Sequence, residues 1–275
     1  MPLRIFRPSP LLAPYVTAIW DYDNLLAGDD VALSILPDTA SYLCFLYRDP
    51  LTTVHRERRY TTRSGLAGFQ SYRSDLGGTG DVSGVSARLS PWGLSVFRRG
   101  VVVDCAEHRV DCRDLFPGGS VERLEDELAQ QASPRGRVAC IEAFLLSHLN
   151  PHDGDRLVEA ACRALNRTHG VRSIASLASA LALSERSLER RFRRQIGTTP
   201  KTYARIVRLR AAVSARGAHS NWADVAHACG YFDQSHLIRD AHHFYGLSPD
   251  ALQRGIVASG MIQGSGLLNL AGLKR

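Results

Sequence analysis

Two stretches of this chain repeat one layout, and that repetition constrains the fold more than any other feature. Residues 174–200, IASLASALALSERSLERRFRRQIGTTP, and 222–249, WADVAHACGYFDQSHLIRDAHHFYGLSP, run in parallel. Ile174, Leu177, Ala178 and Ala182 match Trp222, Val225, Ala226 and Gly230 at an offset of 48. Leu188, Arg190, Gly197 and Pro200 match Leu237, Arg239, Gly246 and Pro249 at an offset of 49, so the second copy has one extra residue in its middle turn. Each copy predicts a short helix with a small alanine where a neighbour can approach closely, then a turn, then a second helix. Ser184 and Asp233 are the expected N-caps of those second helices, because their side-chain oxygens can accept a free backbone N–H. Short helix, tight turn and second helix make a helix-turn-helix, whose second member is the one that enters a DNA major groove.

The faces of the second helices agree with that use. With Leu188 at zero, Phe192 and Ile196 fall at about 40° and 80° and form one apolar stripe. Arg193, Arg186 and Arg190 fall at about 140°, 160° and 200°, flanked by Arg194 and Glu189. In the second copy Leu237, Ala241, Phe244 and Tyr245 make the apolar side, with Ser235, Arg239, His242 and His243 opposite. A guanidinium fork can donate two hydrogen bonds to guanine O6 and N7, Gln234 can pair with adenine, and Glu189 can accept from a cytosine amino group. Between the copies TYARIVRLRAAVSARG (202–217) predicts a linker helix with Gly217 as its C-cap. Such a helix can hold the two units for successive major-groove segments, about 34 Å apart on one face of the duplex.

Charge follows the same division. Of 275 residues, the first 150 hold 16 Lys+Arg against 18 Asp+Glu, whereas 151–275 hold 18 against 9, so the net +7 comes entirely from the C-terminal half. A basic half suits a polyanionic partner. The length allows two domains, and the turn-rich Asn150-Pro151-His152-Asp153-Gly154-Asp155 is the expected boundary. Before it, VALSIL (31–36), YLCFLY (42–47), LAGF (66–69) and VSGVSARL (82–89) read as strands between Gly, Pro and Asp turns. WGLSVFRR after Pro91 reads as a short helix, and VERLEDELAQQ and RVACIEAFLLSHL read as two amphipathic helices around Ser133-Pro134. Those two, at 121–149, are the expected dimer contact or interdomain strut.

The C-terminal residues resemble the DNA-binding domain of the AraC/XylS family of bacterial transcription regulators. The resemblance covers about 100 residues and rests on LASALALSERSLERRFRRQIGTTPKTYARIVRLRAA and on Val225-Ala226-x-x-x-Gly230-Tyr231-x-Asp233-Gln234-Ser235-His236-Leu237-x-Arg239 followed by Gly246-Leu247-Ser248-Pro249. It implies base contacts from Arg186, Glu189 and Arg190 in the first unit and from Gln234, Ser235, His236 and Arg239 in the second. Ala241 departs from the family pattern, which places Phe there. Tyr15-Val16 to Trp20, Leu36-Pro37-Asp38, Gly65 to Gly68 and Arg88 to Leu94 are similar to the sensor domains of one AraC-type subgroup. The resemblance implies a two-domain α+β chain. A β-rich, cupin-like sensor or dimerisation domain with appended helices would occupy 1–150. An all-α domain would occupy 151–257, with units at about 174–197 and 222–246, and a flexible tail 258–275. It also implies double-stranded operator or promoter DNA as partner, RNA polymerase as a second, a small-molecule effector, possible homodimerisation, and activator behaviour.

Trp20, Tyr22, Tyr42, Phe45, Phe69 and Trp92 are the candidates for an effector pocket, with plain core as the alternative. Cys105-x-x-His108-x-x-x-Cys112 offers three metal-type ligands in eight residues, but a closed zinc site wants four. No cofactor, metal or catalytic residue is therefore expected. Sparse cysteines without a Cys-x-x-Cys pair, an N-terminus lacking a signal-like apolar stretch, and Gly and polar interruptions in 256–273 point to a cytoplasmic chain that does not enter the membrane. Two competitors stay open: a DNA-targeted enzyme or redox/metal sensor working through Cys105, His108 and Cys112, and a DNA-binding module whose N-terminal half serves assembly alone.

Overall fold

The computed structural model describes residues 3–26, 33–55, 57–78, 80–98, 102–116, 118–216, 221–259 and 267–269. The first half is built on two antiparallel sheets. One has the order β1 (Leu3–Phe6), β2 (Val16–Tyr22), β9 (Gly84–Leu89), β4 (Tyr42–Leu46), β7 (Ser64–Ala67) and β10 (Arg109–Asp111). The other runs β11 (Leu267–Asn269), β3 (Leu33–Ile35), β8 (Ser74–Gly77), β5 (Leu51–His55) and β6 (Arg58–Thr62).

Strand alternation gives the first sheet two different faces. Ile19, Leu43, Phe45, Leu66, Val85, Ala87 and Leu89 point to one side and pack under α4 (Ser120–Gln130) and α5 (Pro134–Ser147). Trp20, Tyr22, Tyr42, Leu46 and Ala67 point to the other and meet Leu33, Leu51 and Leu76 of the second sheet. The outer layer is wholly apolar on its sheet side because the apolar sides of two helices seal it, with Phe45 meeting Phe144 of α5 edge-on at 5.1 Å; the layer between the sheets mixes aromatics with buried polar groups such as Asp38 and Ser86. Buried Asp21 ties the layers together, holding Arg137 of α5 at 2.6 Å and Arg4 of β1 at 3.1 Å. The helices at 121–149 therefore cover a sheet of their own domain rather than bridging to the other. The shorter α1 (Gly93–Phe97), α2 (Val102–Cys105) and α3 (Cys112–Leu115) complete this half.

A single 3-10 turn at Pro151–Asp153 leads into the helical half: α6 (Arg156–Arg167), α7 (Ile174–Ala180), α8 (Glu185–Ile196), α9 (Pro200–Ala215), α10 (Trp222–Ala228), α11 (Gln234–Tyr245) and α12 (Pro249–Ser259). The turn is no loose tether, since the Asn150 N–H donates to the Val96 carbonyl at 2.7 Å. One core runs through both halves, with Leu36, Phe69 and Trp92 among the residues of α6 to α9 and α11.

The segment 258–275, expected to be flexible, is more ordered than that at two places. α12 extends to Ser259, and 267–269 pair antiparallel with β3. β3 would otherwise be an edge strand with free backbone N–H and C=O groups, and pairing satisfies them. The expected cap Gly217 lies outside the described residues, as do 260–266 and 270–275.

The middle turns of the repeat differ physically. Gly230 has φ 72° and so needs no compensation, whereas its counterpart Ala182 holds φ 52° against its Cβ. Left-handed backbone costs a non-glycine residue about 1–2 kcal/mol, more than the about 0.5–1 kcal/mol of chain entropy that a glycine loses. Ala182→Gly should therefore raise Tm, by about 1–3 °C, in a thermal melt; an unchanged or lower Tm would show that the turn is unstrained.

Candidate nucleic-acid interface

The predicted repeat is present residue for residue. α7 and α10 start 48 residues apart, and α8 and α11 start 49 apart. Ser184 accepts from the Ser187 N–H at 3.2 Å and Asp233 from the His236 N–H at 2.7 Å, so both expected N-caps are made. Gly197 and Gly246 close the helices in left-handed conformation, at φ 85° and 65°. Leu188, Phe192 and Ile196 are buried, as are Leu237, Ala241, Phe244 and Tyr245. Where Ala241 replaces an aromatic, Phe244 is buried instead, with the Arg205 guanidinium 4.8 Å above its ring and anchored to Asp240 at 2.7 Å.

The opposite faces are open. Arg186, Glu189, Arg190, Arg193 and Arg194 on α8 are all exposed, as are Gln234, Ser235 and Arg239 on α11. Arg193 and Glu189 form an i,i+4 ion pair at 2.8 Å. An exposed pair of this kind is worth about 0.3–0.5 kcal/mol, little enough for DNA to separate it. His236 is half-buried, its ring standing edge-on to Tyr231 at 5.2 Å. Arg191, on the same helix, is not part of the open face; it reaches back to Asp155, the N-cap of α6, at 2.7 Å. One exposed neighbour has no signature in the sequence: Phe232, 93% exposed, directly before the Asp233 cap. A lone Phe in a turn has no periodic partner to reveal it.

The N-terminal half touches both α8 and α11. Gln195 of α8, buried, donates to Ser95 Oγ at 2.9 Å and to the Asp153 carbonyl at 3.1 Å. Gly197 lies so close to α2 that a Cβ there would come within 2.6 Å of the Ala106 Cβ. His243, exposed as expected of a group facing solvent, also meets Tyr72 of the first half edge-on at 5.4 Å.

The six aromatics expected to line an effector pocket are all buried but divide among three core clusters. Trp20, Tyr22 and Tyr42 share the layer between the sheets, Phe45 lies under α5, and Phe69 and Trp92 join the core of the helical half. Trp92 alone of them also borders a cleft of about 370 Å³ between the halves, with Thr39, Arg88, Arg163, Asn166 and Arg210. The thiols of Cys105 and Cys112 are buried while His108 is exposed, so the three do not converge. Among the described residues no group of three or more His, Cys, Asp or Glu side chains could hold a metal. Burial pushes the Cys112 thiol well above its ordinary range, with Cys44 and Asp111 adding to the shift. Alkylation of Cys112 at pH 8 should therefore be about 100-fold or more slower in the native chain than in urea, since it waits on local opening; rapid native labelling would revive the redox-sensor alternative. No helix among the described residues is long and apolar enough to cross a membrane.

Two capped helix-turn-helix units on a shared core, each with an open hydrogen-bonding face, define a DNA-binding domain joined to a β-rich partner domain. Comparison with known proteins agrees: the helix-turn-helix domain family matches residues 177–255, and this part of the chain is a helix-turn-helix domain of the AraC type. No curated relative matches the chain. Among solved structures it is similar to ToxT of Vibrio cholerae with a bound unsaturated fatty acid, at 12% identity and TM-score 0.46, covering 85% of this chain and 94% of that one. ToxT bound to (E)-4-(8-methylnaphthalen-1-yl)but-3-enoic acid gives 10% identity and TM-score 0.46, covering 84% and 98%. The AraC-like transcriptional activator CuxR gives 12% identity and TM-score 0.25, covering 78% and 86%. Likeness this loose carries no residue role from one chain to the other.

Proposed function

We propose that this chain is a transcription regulator. Its C-terminal half reads a specific duplex through α8 and α11, and its N-terminal half receives a small-molecule effector and passes the signal through the contacts on those helices. The observation that carries this reading is the duplicated unit itself, with matched caps, matched buried stripes and matched open faces. Arg186, Glu189 and Arg190 take base edges in one major-groove segment, and Gln234, Ser235, His236 and Arg239 take them in the next. Arg193 and Arg194 have the reach and charge for flanking phosphates. RNA polymerase as a partner, activation and homodimerisation belong to the same reading.

Selection of bound duplexes from a random pool, followed by titration at increasing salt, tests it. The selected site should contain two conserved blocks one helical turn apart. Affinity should fall linearly in log–log form with a slope of about −0.9 per phosphate contact. A flat salt titration, or a pool that never converges, would sink the proposal.

A further inference from the structure

Among the described residues of the N-terminal half, Arg109 is a buried charged group whose side chain the fold leaves unpaired at two nitrogens. It lies on β10 opposite Ala67, its side chain on the inner face of the first sheet, and it is 8% exposed. Its Nε and Nη2 have no hydrogen-bond partner among the described residues. A buried guanidinium without a counter-charge is strongly unfavourable, and the same domain shows what such groups normally receive. Arg88, on the same inner face, has Asp38 at 2.7 Å, and Arg137 has Asp21 at 2.6 Å.

Nε and Nη2 form one edge of the guanidinium, the edge that takes a carboxylate with two parallel hydrogen bonds. Arg109 lines a cavity between the sheets together with Cys44, Leu46, Leu51, Thr53, Thr62 and Arg63. The cavity is about 10 Å³, room for one water-sized group, so a larger body has to part neighbouring side chains. Arg63, exposed on the bend between β6 and β7, marks where the rim reaches the surface and supplies a second positive charge there. Nearby, the Tyr22 phenol lies 3.0 Å from Ser86 Oγ, and the Arg109 charge opposes the upward push that burial gives its pKa.

We propose that the space between the two sheets is a binding site for a small carboxylate ligand, held side-on by Nε and Nη2 of Arg109. The proposal rests on the effector reading above and names the chemistry of that effector. It also gives the signal a short path. Arg109 is three residues past Ala106, which abuts Gly197 at the end of α8, and Gly68 at the end of β7 lies so close to Cys105 that a Cβ would fall within 2.3 Å of its carbonyl oxygen. Movement of β10 as the ligand seats is thereby delivered to the first recognition helix.

The test uses the full chain, with sodium acetate, butyrate and benzoate as probes and sodium chloride at equal ionic strength as control. At least one carboxylate should raise Tm saturably, by about 3 °C or more, with matching one-to-one binding by calorimetry. Arg109→Met should abolish the rise, and Arg109→Lys, which keeps the charge but lacks the two-donor edge, should weaken binding about tenfold or more. If Arg109→Met does not fold, Arg109→Lys alone decides. No rise beyond chloride, as expected were the cavity to hold only water, overturns the proposal, as does an equal rise in the variants. Carboxylate binding that leaves DNA affinity unchanged would uphold the site and overturn its regulatory use.

Discussion

Arg190→Ala and Arg239→Ala should each weaken binding to the selected duplex by about 1–3 kcal/mol, a factor of about 5–150, and relax selectivity at the base each one reads. Both side chains stand on the exposed face of their helix, at equivalent places in the two units. Their removal creates no cavity and breaks no buried pair, so stability should change by no more than the about 0.5 kcal/mol typical of surface changes. Arg191→Ala provides the contrast. Arg191 is half-buried and paired with Asp155, so its loss should lower stability and leave base selectivity intact. Glu189→Ala makes a third case: it frees Arg193 from its ion pair and removes a negative charge, so affinity for random duplexes should rise while discrimination at its base falls. A mobility-shift titration of these variants on selected and scrambled duplexes checks all four. Unchanged specific affinity in both Arg190→Ala and Arg239→Ala would overturn the assignment of α8 and α11 as recognition helices.

The helical half was legible because its signals are local. Helical periodicity set the buried stripe of α8, and single residues such as Ser184, Asp233, Gly197 and Gly246 set its ends. Duplication then let each copy check the other, down to the one-residue difference in the middle turn. The apolar runs that become β3, β4, β7 and β9 are legible as strands in the N-terminal half, yet polar strands such as β6 and β8 are not, nor is the pairing: β9 sits between β2 and β4, and β7 between β4 and β10, contacts between segments tens of residues apart that leave no periodic trace. For that reason Trp20 and Phe45 were placed in one expected pocket although they face opposite sides of the same sheet. Tyr72, which stands edge-on to the exposed His243 from a distant turn, shows the same limit. Arg109 carries no signal in the sequence, because an arginine in a short strand reads as surface until its neighbours are known. The missing signal is a partner, and absence of a partner is a property of the fold.

Phe192→Ala should have the largest effect on stability, about 3–5 kcal/mol, because a fully buried aromatic leaves a cavity its neighbours fill poorly. Phe192 has no exposure and meets Tyr203 of α9 edge-on at 5.7 Å. The core it belongs to includes Phe69, Trp92 and Leu36 of the first half, so the loss spreads to the surface where the halves meet. Its counterpart at the offset of 49 is Ala241, where the second unit buries a methyl group instead and relies on Phe244. The two units therefore contribute unequally: α8 is braced from both sides, by α9 and by α2, whereas α11 has the smaller residue at the same depth. Phe192→Ala should lower Tm by about 6 °C or more and remove specific DNA binding above its new melting point, with selectivity retained below it. Ala241→Gly, removing one methyl from the equivalent place, should cost about 1 kcal/mol, mostly through helix propensity. Calorimetry on both variants decides the matter; equal losses would show that the first unit is no more firmly held than the second.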